Sequence, residues 1–366
     1  MRRKNVLPKR SILMILWSRR SLAALIVAIA GATGTSAQDR PDQNIPTLRT
    51  QSNVVLAPAL VTDKDGKLVF GLKASDFIIE DDGLEQAVKM DEAEPQEAIS
   101  LVIAIQSGRS ALREFERMKG LSAMLDQIVG QPQVETAIVA FDADVELAQD
   151  FSFDSDRTEA FLRSMVEGPR RNMKEGDRSG AAIYDAVRYS AALLHKQPDD
   201  SRRVLLLISE TRDHGSHAVK LDDAIAAVND SNTLIYSLAF SPTGSSVLDT
   251  LRGRDSKNDP VHSDPEGSLG NILEIVKMAR EPMRKNAPKA VAEMTGGEYE
   301  LFTSRKSFER FMTEFSNHLH SRYLLRFEPK DPHPGLHRVQ VRVRDRKDLV
   351  VLARHSYWVQ QQDQEH

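Results

Sequence analysis

Three stretches decide the fold: Ile99-Ser-Leu-Val-Ile-Ala-Ile105, Arg203-Val-Leu-Leu-Leu-Ile-Ser209 and Thr233-Leu-Ile-Tyr-Ser-Leu-Ala-Phe240. Each is a nearly unbroken apolar run. A strand with one wet face alternates apolar and polar residues, whereas a strand covered on both faces does not. Between these runs, apolar residues recur at steps of three and four, as on one face of a helix. Leu112, Phe115, Met118, Leu121, Met124, Leu125 and Ile128 form one such pattern, and Ala181 to Leu194 and Leu221 to Val228 form two more. Val134 to Phe141 and Val145 to Phe151 read as strands, and Ala160 to Val166 as a short helix. Residues 241–267 carry Pro, Gly, Ser and Asp with little periodicity and read as an inserted loop. Ile272 to Ala279 and Ala290 to Met294 are helical, and Gly296-Gly297 stops the latter. Glu298 to Phe302 reads as a last strand and Phe308 to His320 as a final helix. Strands alternating with helices over residues 97–322 predict an α/β fold with a doubly wound, Rossmann-like sheet and helices on both faces.

The flanks read differently. Asn53 to Thr62 is strand-like, with Pro58 marking an edge or bulge. Asp63-Lys-Asp-Gly66 and Asp81-Asp-Gly83 are Asp-Gly turns between the short strands Lys67 to Phe70 and Phe77 to Glu80. After Tyr323, Val339, Val341 and Val343 alternate with Arg338, Gln340, Arg342 and Arg344, a half-buried strand with Leu349 to Ala353 as its expected partner. Isolated strands cannot bury a core. Residues 51–96 are therefore expected to pair with 323–358 in one small β-sandwich-like module, with the α/β segment inserted between them; 359–366 is a tail.

The chain has 366 residues, 40% of them apolar and 28% charged, which is enough for a sizeable core. Its net charge of −4 is unevenly spread. Residues 1–37 hold seven Lys or Arg and no acid, which leaves 42 bases against 53 acids beyond them. A body that acidic argues against nucleic acid as a partner. There is no cysteine, so disulfides, thiol catalysis and zinc–thiolate sites are excluded. The basic segment precedes an apolar stretch, Ser21 to Ala30, and the small residues Gly31 to Ala37. That order is a secretory signal with cleavage after Ala37, too short to span a bilayer and leaving no stable membrane anchor. Ser18-Arg19-Arg20-Ser21-Leu22 also resembles a twin-arginine signal. Residues 38–50 are polar and read as a disordered lead-in. The expected location is the periplasm or the exterior.

Open α/β sheets bind ligands beyond the C-terminal ends of their strands. The loops there are Gln106-Ser-Gly-Arg-Ser110, Gly180-Ala-Ala-Ile-Tyr-Asp185 and Glu210-Thr-Arg-Asp213. Val61-Thr-Asp-Lys-Asp-Gly66, Phe70 to Phe77, Glu80-Asp-Asp-Gly83, Gly180-Ala-Ala-Ile-Tyr-Asp185, Leu205-Leu-Leu-Ile-Ser209 and Met294-Thr-Gly-Gly-Glu-Tyr299 together resemble the von Willebrand factor A domain. The resemblance is closest to its acidobacterial VWFA-related branch, and covers residues 51–358. It implies a metal-ion-dependent adhesion site of the form Asp-x-Ser-x-Ser, a Thr and a further Asp. Hydroxyl and carboxylate oxygens would hold a divalent cation such as Mg²⁺ and leave one position for a partner's carboxylate. Carried over, these positions fall on Ile105, Ser107, Arg109, Ala181 and Glu210, and a one-residue shift brings in Ser110 without adding a carboxylate. The resemblance therefore implies a degenerate site with no metal or other cofactor.

Two readings of the rim stay open. Arg109 can fill the vacated position, held by Glu210, and meet an acidic group of a protein partner, with Arg170, Arg171, Lys174 and Arg178 as a basic border. Otherwise Arg109 points to solvent and the face binds nothing. His195, His214 and His217 form no recognisable ligand set, His214 and His217 read as solvated loop residues, and His318 and His320 read as charges near a helix end when protonated or as a polar face. No Gly-x-Ser-x-Gly segment or phosphate-cradling loop is present. The expectation is a non-enzymatic, exported binding or adhesion module. A structural subunit of an envelope complex, or a metal-dependent adhesin if an ion is retained, are the alternatives.

Overall fold

The computed structural model describes residues 54–91, 98–167, 180–198, 200–241 and 282–359. The secretory segment, the lead-in, Arg170, Arg171, Lys174, Arg178, the Ile272 to Ala279 helix, nearly all of the inserted loop and all but the first residue of the tail lie outside them.

Five short strands come first: β1 (Val55–Leu56), β2 (Leu60–Asp63), β3 (Phe77–Asp81), β4 (Leu84–Gln86) and β5 (Lys89–Asp91). The α/β segment follows, with β6 (Ile99–Gln106), α1 (Arg109–Glu114), α2 (Leu121–Val129), β7 (Val134–Phe141), β8 (Val145–Ser152), α3 (Ser155–Glu167), α4 (Ile183–His195), β9 (Arg202–Glu210), α5 (Leu221–Asp230) and β10 (Leu234–Phe240). After the undescribed stretch come α6 (Ala287–Thr295), β11 (Tyr299–Leu301) and α7 (Arg305–Leu319). The last strands are β12 (Leu324–Phe327), β13 (Gly335–Val343), β14 (Leu349–Leu352) and β15 (Ser356–Val359).

The central sheet runs β11-β10-β9-β6-β7-β8 and is parallel except for the edge strand β8. Its period of two sorts the apolar runs into two layers. Ile99, Leu101, Ile103 and Ile105 of β6, with Val204, Leu206 and Ile208 of β9, meet α2, α3 and the Phe308, Phe311 and Phe315 face of α7. Val102, Ala104, Leu205 and Leu207 point the other way, against α4, α5 and α6. This is the physical reason those runs show no polar alternation.

Helix ends follow local chemistry rather than apolar periodicity alone. The single helix expected across Leu112 to Ile128 is two helices, because Gly120 adopts φ 88°, a left-handed turn. α3 begins five residues before the expected Ala160, since Asp154 Oδ1 accepts the Arg157 N–H at 3.0 Å and caps it. α7 likewise starts at Arg305, where Ser304 and Ser307 cap each other's backbone N–H groups.

The peripheral strands pair with one another. β1 and β5 flank β12, β2 pairs with β14, and β15, β13, β3 and β4 form a four-stranded sheet. The expected strand Asn53 to Thr62 breaks around Pro58, so that β1 joins one partner and β2 another. Lys67 to Phe70 is a strand only as a single bridge from Leu68 to Thr62. The expected β13–β14 pairing is replaced by β13–β3, with Val341 opposite Ile79. Arg344 N donates to Asp76 O at 2.7 Å, so the chain follows β3 to its end before turning. Val55, Ala57, Val61, Phe77, Ile79, Leu325, Phe327, Val339 and Tyr357 share one buried cluster.

These strands meet the α/β segment at a tight seam. Gly296 closes α6 with φ 77°, and a Cβ on Gly297 would stand 1.9 Å from Ile235 O. Arg322, whose side chain is wholly buried, donates to Tyr236 Oη (2.9 Å), Gly296 O (2.7 Å), Leu352 O (3.3 Å) and Glu298 Oε1 (3.3 Å). Its guanidinium also lies 5.4 Å from the Tyr236 ring centroid.

Three outcomes follow for urea denaturation. Gly297→Ala forces a methyl into backbone and is expected to cost about 3 kcal/mol. Gly66→Ala, at φ 81° with open space around it, is expected to cost only about 1–2 kcal/mol. Arg322→Met strands Glu298 and three other acceptors and is expected to cost about 3–5 kcal/mol.

Candidate functional site

The strand order reverses between β6 and β9, and in such a sheet the crevice for ligands opens at the C-terminal ends of those two strands. Gln106 ends β6 and Glu210 ends β9, and they are 1% and 4% exposed. They bond reciprocally: Gln106 Nε2 donates to Glu210 Oε1 at 2.9 Å, and Glu210 N donates to Gln106 Oε1 at 2.8 Å. The other carboxylate oxygen, Oε2, lies 2.8 Å from His214 Nε2. Each polar atom aimed into this buried spot is thereby satisfied by another, as burial demands.

The alternation of β6 corrects the carried-over register by one residue. Ile105, aligned with the metal-binding Asp of the resembled site, turns into the apolar layer and is fully buried. Gln106 is the side chain that reaches the rim. Ser107 follows the strand, its N–H donating to Phe141 O at 2.7 Å and its hydroxyl to the same carbonyl at 3.4 Å. The α1 backbone carries Arg109 and Ser110, whose side chains lie outside the described residues. Glu210 gives its two oxygens to Gln106 and His214; the expected contact with the Arg109 side chain lies outside the described residues. Ala181, at the position of the family's Thr, is buried, and its carbonyl accepts the His214 N–H at 3.2 Å.

The loop after β9 is tied down by acids. Asp185, in the first turn of α4, accepts the N–H groups of Val219 (2.9 Å), His217 (3.2 Å) and Ala218 (3.3 Å). Asp213 Oδ1 accepts the Tyr184 N–H at 3.1 Å and the Ser216 hydroxyl at 2.5 Å. Burial and the nearby Asp213 carboxylate push the Tyr184 phenol up to about 12, and its hydroxyl donates to Met283 O at 3.2 Å. These bonds fix the rim from below and use both carboxylates for loop structure.

Sequence reasoning placed Ser107 and Glu210 at this rim and missed Gln106 and His214. His214, expected as a solvated loop residue, pairs with Glu210. Gln106 carried a signal, being the first polar residue after an apolar run. His318 lies in the last turn of α7, as expected, and its Nδ1 is also 2.7 Å from Glu298 Oε2. Among the described residues, no three carboxylate or imidazole groups converge at this rim; the set that does converge lies on the peripheral strands. No described helix is long and apolar enough to cross a membrane.

No family model matches the chain, and no curated protein matches it. Among solved structures, the conserved hypothetical protein BatB from Bacteroides thetaiotaomicron is similar at 14% identity, over 60% of this chain and 100% of that one, with a TM-score of 0.36. The open conformation of the pilus adhesin SpaC from Lactobacillus rhamnosus GG matches at 10% identity over 81% of this chain and 43% of its own, with a TM-score of 0.38. The SpRpn10 VWA domain matches at 13% identity over 41% of this chain and 79% of its own, with a TM-score of 0.30. Superpositions this loose carry no argument about function, and the fold rests on the strand order above.

Gln106→Leu keeps the volume but leaves the Glu210 N–H and one carboxylate oxygen unpaired in a buried place. Urea denaturation is expected to show a loss of about 2–3 kcal/mol, whereas Glu210→Gln, which can keep the reciprocal amide bonds, is expected to lose only about 1 kcal/mol.

Proposed function

We propose that the chain is an exported, non-enzymatic protein-binding module of the von Willebrand factor A type. Its contact face is the rim around Ser107, Arg109, Ser110 and Glu210, and the ion position of the resembled site is degenerate. The peripheral strands are read as a β-sandwich-like module into which the α/β segment is inserted.

The observation that carries this reading is the Gln106–Glu210 pair. A divalent cation wants several oxygen ligands, carboxylates among them. Here the register-corrected first position is an amide whose N–H₂ already donates to the Glu210 carboxylate, at 2.9 Å. A neutral donor stands where a cation would have to stand, so the residues present do not fit the ion. The hydroxyl of Ser107 faces a backbone carbonyl rather than a base, which supports a binding role over acyl-transfer chemistry. Export is supported by the order of basic, apolar and small residues in 1–37.

The test is binding of a labelled Asp/Glu-rich peptide to the mature chain by fluorescence anisotropy. Affinity is expected to survive EDTA and to fall about tenfold in Arg109→Ala, a difference of about 1.4 kcal/mol. Loss of binding on chelation that magnesium restores would overturn the metal-free reading. Undiminished binding by Arg109→Ala would remove that residue from the site.

A further inference from the structure

We propose that Asp82, His333 and His337, on the peripheral strands far from the rim in sequence, form a binding site for one divalent transition-metal ion of the zinc type.

His337 is wholly buried on β13. Its Nε2 lies 2.6 Å from the His333 carbonyl oxygen. A carbonyl only accepts, so Nε2 carries the hydrogen and the neutral ring offers a lone pair at Nδ1. That lone pair faces other lone pairs. Asp82 Oδ2 is 2.9 Å away and Asp81 Oδ1 is 3.6 Å away. Both His337 Nδ1 and Asp81 Oδ1 are buried atoms that make no hydrogen bond of acceptable geometry. Acceptors converging in this way need a cation between them, either a proton on Nδ1 or a metal ion.

The third donor closes the set. His333 Nε2 lies 3.8 Å from Asp82 Oδ2, and the donor atoms of Asp82, His333 and His337 all fall within 4.8 Å of one another. Ligands roughly 2.0–2.1 Å from a tetrahedral zinc stand roughly 3.3 Å apart. The 2.9 and 3.8 Å separations bracket that spacing. His333 is about half exposed, so its ring can turn to close the remaining gap. Two imidazoles and a carboxylate are a donor set suited to zinc, with a fourth position left for water or Asp81.

The surroundings hold these donors in place. Asp82 adopts φ 48° and Gly83 φ 84° in the tight turn between β3 and β4. The Asp82 backbone N–H donates to Arg338 O at 2.9 Å, and Asp82 Oδ1 accepts the Arg338 N–H at 2.9 Å, which aims Oδ2 at the histidines. The His337 ring is stacked between His333 (4.1 Å) and Tyr357 (4.8 Å). Tyr357 Oη donates to Asp81 Oδ2 at 2.9 Å, which leaves Oδ1 turned inward. A ligand imidazole whose other N–H is held by a backbone carbonyl is the usual support of a metal site.

A proton is the competitor. A proton on His337 Nδ1 would face the same Asp82 and Asp81 oxygens as the ion, so proton and metal compete for one lone pair. Metal entry therefore displaces that proton, and affinity is expected to rise with pH.

The experiment is isothermal titration of tag-free, EDTA-stripped, full-length mature protein with ZnCl₂ at pH 6.5 and pH 8, with Co²⁺ absorption as a second readout. The expected result is one equivalent of zinc, bound more tightly at pH 8, and cobalt bands in the visible. Asp82→Asn, which keeps the turn and its Arg338 bonds, and His333→Ala are each expected to weaken binding about tenfold or more. His214→Ala, at the rim, is expected to bind as the parent does. No stoichiometric uptake, or equal uptake by Asp82→Asn and His333→Ala, overturns the site. Repeating the peptide assay in Asp82→Asn separates this ion from any at the rim, so either proposal can fail alone.

Discussion

Arg322 carries a permanent charge to a place no water reaches, and acceptors from separate parts of the chain surround it: Tyr236 of β10, Gly296 after α6, Glu298 before β11 and Leu352 of β14. A charge that deep costs several kcal/mol in lost hydration unless its hydrogen bonds are made. The arrangement is therefore close to all or none. It also lies two residues before β12, the strand that pairs with both β1 and β5. Whatever orients the guanidinium orients the start of the peripheral strands. The close approach of Gly296 to the backbone of Ala353, where a Cβ would stand 2.2 Å from the carbonyl carbon, adds a steric constraint at the same seam.

The two ends of the parallel sheet are consequently put to different uses. The seam lies near the start of β10, where Arg322 donates to Tyr236 Oη at 2.9 Å and Arg354 to Asn232 Oδ1 at 2.6 Å. The strand C-termini are left for the rim. There the structure spends its polar groups on closure: Gln106 and Glu210 seal the crevice between β6 and β9, and Asp185 and Asp213 bind the neighbouring loop.

Much of the α/β segment was legible in the sequence because burial on both faces leaves a local signature. The runs at Ile99, Arg203 and Thr233 could only be covered strands. Helix starts were read late at α3 and α7 because a cap is made by polar residues that periodicity ignores. The rim was half legible. Ser107 and Glu210 were found by position along the chain, yet the difference between Ile105 and Gln106 is a single step of the pleat, which reverses the direction of the side chain. His214 was missed because its partner sits on the preceding strand end, and loop composition alone does not reveal such a pairing. His333 and His337 drew no notice, since the carboxylates they face lie some 250 positions earlier in the chain, at Asp81 and Asp82.

The sequence by itself determined which segments are strands or helices, which of them are buried on both faces, and that no thiol chemistry operates. Those properties depend on spacing and composition, and a residue carries them wherever its neighbours lie. Tertiary structure alone decided which strand pairs with which, as when β13 took β3 in place of β14, and which side chains converge on Glu210, Arg322 and His337. Convergence depends on distance in space, and hydrogen bonds and ion contacts act over a few ångströms between residues that the chain separates by a hundred or more.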